Sequence, residues 1–156
     1  MFDSVTISDI PKGAGMIGAY ANGRWANYPE ARRTFPTETV VSISVNGHHN
    51  ELAHVLDVER GDSDPVAFVP WATAMADQHV VRPTAYINLG AVGQLMAYQP
   101  HGIVPDLWVA DWTGEPHSLT IPGAHVVAVQ YAAPGHGSWG HFDVSAVYDD
   151  TWHPRG

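Results

Sequence analysis

The sequence predicts the α/β fold class, with about eight mostly parallel strands arranged as a compact or reduced (β/α) barrel with few helices. Short apolar runs are spread along the whole chain, and helical patterns lie between some of them. Several runs are continuously apolar, which is typical of strands that are buried on both faces of a parallel sheet. The chain has 156 residues, whereas a full barrel of this kind has about 250. We therefore expect a reduced, TIM-barrel-like fold in which loops replace several covering helices.

The predicted strands are runs rich in β-branched and aromatic residues, bounded mostly by polar or turn-forming residues. In chain order they are Phe2–Ile7, Met16–Ala21, Val40–Asn46, His54–Glu59, Thr84–Leu89, Leu107–Trp112, His125–Tyr131 and Phe142–Val147.

Helical periodicity is present in three segments, Tyr28–Phe35, Asp64–Gln78 and Ala91–Gln99. The second of these helices is expected to have Ser63 as its N-cap and Pro65 in its first turn. Two segments rich in Gly, Pro and His are predicted to be loops over one mouth of the barrel, Gly114–Gly123 and Ala132–His141.

Composition and charge limit the classes of protein to which the chain can belong. Apolar residues make up 45% of it and charged residues 15%, and no change of composition marks a linker, so residues 1–156 are predicted to form a single globular domain. The net charge of −9 argues against binding of nucleic acid or of an anionic membrane, because both require clustered cations. Cysteine is absent, and the sequence has neither a recognisable secretory signal nor a membrane-length apolar stretch, so a soluble protein is expected.

Two carboxylates at the end of the fourth predicted strand are the strongest candidates for catalysis. Asp57 and Glu59 follow an apolar run and precede a Gly turn and a helix. Because successive strand side chains alternate between faces, these two point the same way, with Cα atoms about 6.5 Å apart. The carboxyl end of a parallel strand is where α/β enzymes place their active sites. Glycoside hydrolases use two carboxyl groups about 5 to 9.5 Å apart, one protonated as the general acid and the other ionised.

A structural interpretation of the same segment remains open. Asp-x-Glu is a short and common pattern, and an acidic strand end that is solvated or paired with Arg60 has the same sequence. The catalytic interpretation therefore needs support from other parts of the chain.

Further segments carry a resemblance to a known family. Asp57-Val58-Glu59 is followed by Leu107-Trp108-Val109-Ala110-Asp111-Trp112, then by Val129-Gln130-Tyr131, a Gly-rich loop and Phe142-Asp143-Val144-Ser145. In order and approximate spacing these segments resemble the glycoside hydrolase family 25 lysozymes, or muramidases.

The amino-terminal region makes the resemblance more specific. Phe2-Asp3-Ser4 with Asp9-Ile10-Pro11, and the run Gly18-Ala19-Tyr20-Ala21-Asn22-Gly23, are similar to the family-25-like barrel domains encoded by actinobacteria and their phages. The resemblance thus extends over nearly the whole chain.

The resemblance implies a role for each of four acids. Glu59 corresponds to the general acid/base, and Asp57 to the carboxylate that orients the N-acetyl group of the substrate while that group takes part in the displacement. Asp3 matches the acid on the family's first strand, and Asp143 the acid on its last. Since the first and last strands of a closed barrel are neighbours, these two are expected across the mouth from the other pair. A negative cavity would suit a neutral sugar that develops oxocarbenium character.

Aromatic side chains near the predicted carboxyl ends are candidates for stacking on sugar rings. Trp108 lies in mid-strand and is predicted to be part of the core. The predicted substrate-binding residues are Asp3, Asp143, Trp112, Tyr131, Gln130 and Trp139.

No metal and no cofactor are predicted. The chain has ten histidines, but their spacing does not match a zinc motif such as His-Glu-x-x-His. The sequence also has no Gly-x-Gly-x-x-Gly after a strand and no Gly-x-Ser-x-Gly, so neither a dinucleotide nor a serine nucleophile is indicated.

These observations predict a lysozyme-like glycoside hydrolase whose partner is peptidoglycan or another glycan. The resemblance implies a phage-encoded protein, either a lysin held in the host cytoplasm until lysis or a part of the phage particle in contact with other virion proteins. A second hypothesis, from a different class, is a non-catalytic sugar-binding or structural virion module that retains the fold.

Overall fold

The eight strands form one closed barrel in chain order in the computed structural model, which describes residues 1–48, 52–100 and 103–152. The strands are β1 (Phe2–Asp3), β2 (Met16–Tyr20), β3 (Thr39–Ser44), β4 (Val55–Val58), β5 (Thr84–Asn88), β6 (Asp106–Ala110), β7 (His125–Ala132) and β8 (Asp143–Val147). Neighbours from β1 to β7 are parallel, whereas β8 is antiparallel to both β7 and β1. The predicted fold class, a compact and mostly parallel barrel with few helices, is confirmed.

Helices α1 (Tyr28–Thr34), α2 (Pro65–Asp77) and α3 (Val92–Tyr98) occupy the three segments with helical periodicity. The predicted N-cap of α2 is wrong by one residue. Asp64, not Ser63, is the cap, and its Oδ1 accepts a hydrogen bond from the Ala67 N–H at 3.0 Å. Pro65 then occupies the first helical position, where its missing N–H costs nothing.

The first strand is much shorter than predicted, because the chain turns at Ser4. The Ser4 hydroxyl donates to the His141 carbonyl at 3.0 Å and accepts from the Thr6 N–H at 3.1 Å. A short hydroxyl side chain that bonds to nearby backbone competes with a strand ladder in this way. Ile7, predicted as the end of the strand, instead begins one turn of 3₁₀ helix that ends at Asp9.

Alternation of side chains divides the sheet into an inner and an outer face. Met16 of β2, Tyr86 of β5 and Ala128 of β7 pack in one buried cluster although their strands are not adjacent, so these side chains lie inside the barrel. Val55 belongs to the same cluster. Asp57, two residues further along β4, therefore also faces inward.

The outer face is covered by helices on one side and by loops on the other. On the helical side, Leu56 and Ile87 pack against Trp71 of α2 and Leu95 of α3. The connection between β6 and β7, residues 111–124, is irregular, and three of its side chains pack on the same cluster, Leu119, Ile121 and Ala124. A loop thus takes the place of a covering helix, as the short chain led us to expect.

Two tryptophans fill the barrel below the mouth formed by the carboxyl ends of the parallel strands. Trp108 is fully buried, donates its indole N–H to Ser145 Oγ at 3.0 Å, and lies edge-on to Tyr86 with ring centroids 4.9 Å apart. Trp152 donates its indole N–H to Oγ1 of Thr84, the first residue of β5, at 2.9 Å. Trp152 thus fills the amino-terminal end of the barrel.

Gly18 of β2 leaves space that its neighbours inside the barrel occupy. A methyl group at this position is therefore expected to lower stability. A Cβ at position 18 would lie 2.9 Å from Asp3 Cβ, 3.1 Å from Ile43 Cδ1 and 3.2 Å from Trp108 Cη2. Gly18→Ala is expected to lower the free energy of unfolding by about 1 to 3 kcal/mol, measured by urea denaturation. The control is Gly93→Ala on exposed α3, where no atom lies within 4 Å; it should be neutral or stabilising by up to about 1 kcal/mol. Equal stability of the two variants would contradict this packing.

Candidate active site

Asp57 and Glu59 lie at the carboxyl end of β4 on its inner side. Asp57 is 4% exposed, and Glu59, the first residue beyond the strand, is half-buried. The turn that follows is tied back to both residues, because the Asp62 N–H donates to the Glu59 carbonyl at 3.1 Å and the Ser63 N–H to the Asp57 carbonyl at 3.2 Å. Backbone hydrogen bonds therefore fix the position from which each carboxyl group projects.

Asp3 and Asp143 are direct neighbours on β1 and β8. The ladder pairs Asp3 with Asp143 and Phe2 with Val144. Opposed residues of an antiparallel pair have Cα atoms about 4.5 to 5.5 Å apart. Because β8 runs antiparallel, its first residue lies at the same end of the barrel as the last residue of β1. The structure thus brings the four acids singled out from the sequence to one mouth.

Burial and mutual repulsion raise the pKa values of these four acids. Burial, followed by the charges of Glu59 and Asp62, raises the pKa of Asp57 to about 8. Burial and the charge of Asp143 raise the pKa of Asp3 well above its ordinary value. Burial and the charge of Glu59 raise the pKa of Asp143 to about 6, and burial with the charge of Asp62 raises the pKa of Glu59. Protonated and ionised carboxyl groups therefore coexist here near neutral pH, as general acid/base chemistry requires.

Two oxygens of this cluster have no hydrogen-bond partner among the described residues. They are Asp3 Oδ1 and Asp57 Oδ1, and both are buried. A buried polar atom without a partner costs free energy, so such atoms are uncommon unless they serve a ligand or water. Asp57 Oδ1 thus has an unused acceptor position at the carboxyl end of β4.

Gln130 of β7 links the inner wall to the rim. Its Oε1 accepts from the Tyr86 hydroxyl at 2.9 Å and from the Trp112 indole N–H at 2.6 Å, and its Nε2 donates to Asp143 Oδ2 at 3.3 Å. Trp112 is 43% exposed and stacks on His136, with ring centroids 5.1 Å apart and planes at 28°. This network holds an exposed aromatic ring beside the acids.

The structure does not bring Tyr131 and Trp139 to the acids. Tyr131 follows the inward-facing Gln130 at an irregularity in the pairing of β7 with β8, and it packs on a separate cluster that contains Ala132 and Phe142. Trp139, 68% exposed, packs edge-on against the same Phe142 and against Phe2, with ring centroids 5.4 Å and 6.0 Å apart. Of the predicted aromatic contacts, Trp112 alone is bonded to the mouth network.

Two tyrosines of the site are missing from the sequence-based prediction. Tyr86 bonds to Gln130, and its pKa is raised by burial and then by the charges of the four acids, Glu59 first. The pKa of Tyr20, the last residue of β2, is raised by burial and by the same four charges. Each stands at an inward position near the carboxyl end of its strand, so counting alternate residues along Met16–Tyr20 and Thr84–Asn88 would have identified both.

Glu59 adjoins two surface depressions. One, of about 560 Å³, lies between the ends of β3 and β4 and includes Asn46, His48 and the turn of residues 60–64. The other, of about 350 Å³, lies on the β5 side and includes Asn88 and Ala91. Both volumes are within the roughly 300 to 1,000 Å³ that is usual for ligand pockets. A third depression, of about 280 Å³, lies between α2 and the start of β6, away from the acids.

The described residues include neither a metal-binding cluster nor a membrane-spanning helix. Within them, no group of three or more His, Cys, Asp or Glu side chains is placed so that it could hold a metal ion. The helices of the same residues all lack the length and apolar content needed to cross a membrane.

No protein-family model, curated protein or solved structure matches this chain. The resemblance to family 25 lysozymes therefore depends on the sequence motifs named above.

The raised pKa of Asp57 predicts that the unaltered chain loses stability as the pH rises, and that Asp57→Asn does not share this loss. The carboxyl group titrates near 3.8 in the unfolded chain and near 8 in the fold, so the folded state binds the extra proton between these values. This contribution to stability is fully present below the unfolded pKa and is lost as the pH rises through the folded pKa. The melting temperature of Asp57→Asn minus that of the unaltered chain is therefore expected to be larger at about pH 9 than at about pH 6.5.

The comparison between the two proteins cancels the contributions of groups that do not interact with Asp57. The window also avoids His54, whose pKa burial lowers to about 4, so that it titrates below the range used. Asp77→Asn, at the exposed end of α2, is the control and should follow the unaltered chain at every pH. If Asp57→Asn changed the melting temperature equally at both pH values, Asp57 would not titrate in the fold as described.

Proposed function

We propose that this chain is a lysozyme-like glycoside hydrolase that cleaves the glycan of bacterial peptidoglycan. The observation that carries the proposal is the convergence of Asp3, Asp57, Glu59 and Asp143 at one mouth of a closed barrel, each with a raised pKa. A half-buried acid with a raised pKa beside a second carboxyl group is the arrangement that glycoside hydrolysis uses. The motifs that resemble the family 25 lysozymes support the same assignment.

Glu59 is the proton donor in the proposed reaction. Its carboxyl O–H protonates the glycosidic oxygen as the bond from that oxygen to the anomeric carbon breaks. The acetamido carbonyl oxygen of the same sugar attacks the anomeric carbon and forms a cyclic intermediate. Water then opens this intermediate and gives its proton to the Glu59 carboxylate, which restores the acid.

Asp57 is the group that orients the acetamido substituent. Its ionised form accepts a hydrogen bond from the acetamido N–H and stabilises the positive charge that develops there. The buried Oδ1 that has no partner among the described residues supports this role. A hydrogen bond from the substrate also favours the ionised form, so binding would lower the pKa that burial has raised.

Asp3, Asp143 and Trp112 complete the proposed site. Asp143, whose pKa is raised only to about 6, adds negative potential, which stabilises an oxocarbenium-like transition state on a neutral sugar. Asp3 lies beside it on β1. Trp112 offers a partly exposed ring on which a sugar can stack, and Gln130 holds that ring in place.

A phage origin is part of the proposal and follows from the resemblance. The protein would act as a lysin that stays in the host cytoplasm until lysis, or as a part of the virion that touches the cell wall. In the second case other virion proteins are its partners.

Glu59→Gln is expected to remove hydrolysis without loss of folding. The rate at which the purified chain clears a peptidoglycan suspension should fall by about 100-fold or more, because the amide cannot donate the proton. The melting temperature should stay equal or rise slightly, since the substitution removes a charge from a repulsive cluster. Glu30→Gln, on the exposed side of α1, is the matched control and should clear as the unaltered chain does.

The alternative, a non-catalytic sugar-binding or structural virion module, is favoured by the low exposure of Asp3 and Asp57, 3% and 4%. The same assay separates the two. Binding to peptidoglycan without clearing, equal in the unaltered chain and in Glu59→Gln, would support a sugar-binding module. Absence of both binding and clearing would support a structural role. A fall of several degrees in the melting temperature of Glu59→Gln would instead assign Glu59 a structural hydrogen bond.

A further inference from the structure

A fourth depression lies along the rim of the barrel, beside the depression of about 560 Å³ that Glu59 lines, and it contains two arginines. It has about 600 Å³ and is lined by Arg24 with Gly23 after β2, by Val45 and Asn46 after β3, and by the turn of residues 60–62 after β4. We call it the rim depression. It shares Asn46, Arg60, Gly61 and Asp62 with the depression of about 560 Å³ that Glu59 lines, so the two are continuous.

Cations are scarce in this protein, which makes their placement informative. The chain has seven Lys and Arg residues against sixteen Asp and Glu residues. Two of the seven, Arg24 and Arg60, line the rim depression together with one acid, Asp62. The local charge of the lining side chains is therefore positive, whereas the adjoining mouth is lined by acids.

Both guanidinium groups are available to a ligand. Each side chain is exposed, and among the residues that the structure describes neither forms an ion pair or a side-chain hydrogen bond. Arg24 stacks over Trp25, with its Cζ 4.6 Å from the ring centroid. Stacking uses the flat face of the guanidinium and leaves its N–H donors, which lie in the plane, free to bind a carboxylate.

The wall that carries Arg24 is held in place by specific contacts. Asn22 donates to Ser44 Oγ at 2.9 Å and accepts from the Val45 N–H at 2.9 Å, so the loop after β2 is fastened to the end of β3. Gly23 has a φ of +77°, and a Cβ there would lie 2.4 Å from Val45 Cγ2, so this turn requires glycine. The position of Arg24 is therefore defined by the fold.

We propose that the rim depression binds a carboxylate of the glycan, so that the substrate is an acidic glycan and not a neutral chitin-like polymer. This inference rests on the proposed function and specifies its substrate class. Peptidoglycan alternates neutral N-acetylglucosamine with a sugar that carries a lactyl carboxylate, free or joined to a peptide with its own carboxylates. The arginines attract such a group, whereas the mouth is lined by acids, so charge sets the register of the strand across Glu59.

Glycan binding by an arginine-depleted chain tests this assignment. The measurements use the Glu59→Gln background, so that no glycan is consumed, and compare it with the same chain carrying Arg24→Gln and Arg60→Gln. The ligands are intact peptidoglycan and peptide-free glycan strands, by co-sedimentation, and chitohexaose, by calorimetry. The control carries Arg32→Gln and Arg33→Gln, exposed positions on α1 that lose the same charge.

We expect the depleted chain to bind peptidoglycan about tenfold more weakly, as for loss of charge-assisted hydrogen bonds, and chitohexaose unchanged. Loss on peptide-free strands identifies the lactyl carboxylate, and loss on intact peptidoglycan alone identifies a peptide carboxylate. Unchanged binding of both anionic ligands, an equal loss on chitohexaose, an equal loss in the α1 control, or no binding of any glycan would overturn the inference.

The outcome is distinguishable from that of the hydrolase proposal. Clearing by the unaltered chain, with arginine-independent binding, would overturn the carboxylate assignment and leave the hydrolase standing. Arginine-dependent binding of the anionic ligands without clearing would overturn the hydrolase proposal and support the carboxylate assignment. The rim depression would then belong to a non-catalytic recognition site.

Discussion

Closure of the barrel by an antiparallel β8 is the constraint on which the site depends. β8 pairs with β7 on one side and with β1 on the other, in the opposite direction to both. Its first residue, Asp143, therefore lies at the mouth beside Asp3. A parallel eighth strand would have put Asp143 at the sealed end and Val147 at the mouth, and two of the four acids could not have met. The reversal also allows the short connection of residues 133–142, which has no room for a covering helix.

The depth of the site is set by the residues beneath it. Gly18 has no side chain, and the Trp108 ring lies against the space that a Cβ at position 18 would fill. Trp108 is in turn fixed by its hydrogen bond to Ser145. This filled interior excludes water from the lower part of the barrel and holds the carboxyl groups of Asp3 and Asp57 in a shallow layer at the top. Their desolvation, and with it the raised pKa of each, follows from a packed floor as much as from their mutual repulsion.

Much of this architecture could be predicted from the sequence, for identifiable reasons. Strand and helix positions follow from apolar periodicity, and except for β1 their ends agree within two residues. The direction of β8 could not be predicted, because periodicity says which residues are buried and not which way a strand runs. The turn at Ser4 depends on a hydrogen bond to His141, which is distant in sequence. Asp57 and Glu59 could be found because they follow an apolar run and precede a Gly turn, whereas Tyr20 and Tyr86 require a count of alternate residues along their strands. The packing of Tyr131 on the Phe142 cluster could not be predicted, because it depends on an irregular pairing of β7 with β8 between Gln130 and Ala132.

Acidic side chains are paired with cations at the sealed end of the barrel and unpaired at the mouth. This difference distinguishes acids that stabilise the fold from those of the candidate site. At the sealed end, Arg82 lies 2.8 Å from Asp106 Oδ1 and 2.7 Å from Asp149 Oδ2, and His125 lies 2.8 Å from the same Asp106 oxygen. Hydrogen bonds from Thr151 and Arg82 lower the pKa of Asp149, as expected of carboxylates that stabilise a fold. At the mouth, burial raises the pKa of every one of the four acids, and the described residues include no ion pair to any of them. Arg24 and Arg60 are close along the rim, yet the fold leaves the mouth acids unneutralised. An arrangement that stabilises the chain would place those cations on the acids. The fold keeps acids and cations apart instead, at a cost in stability that is expected where residues serve a site and not the packing of the chain.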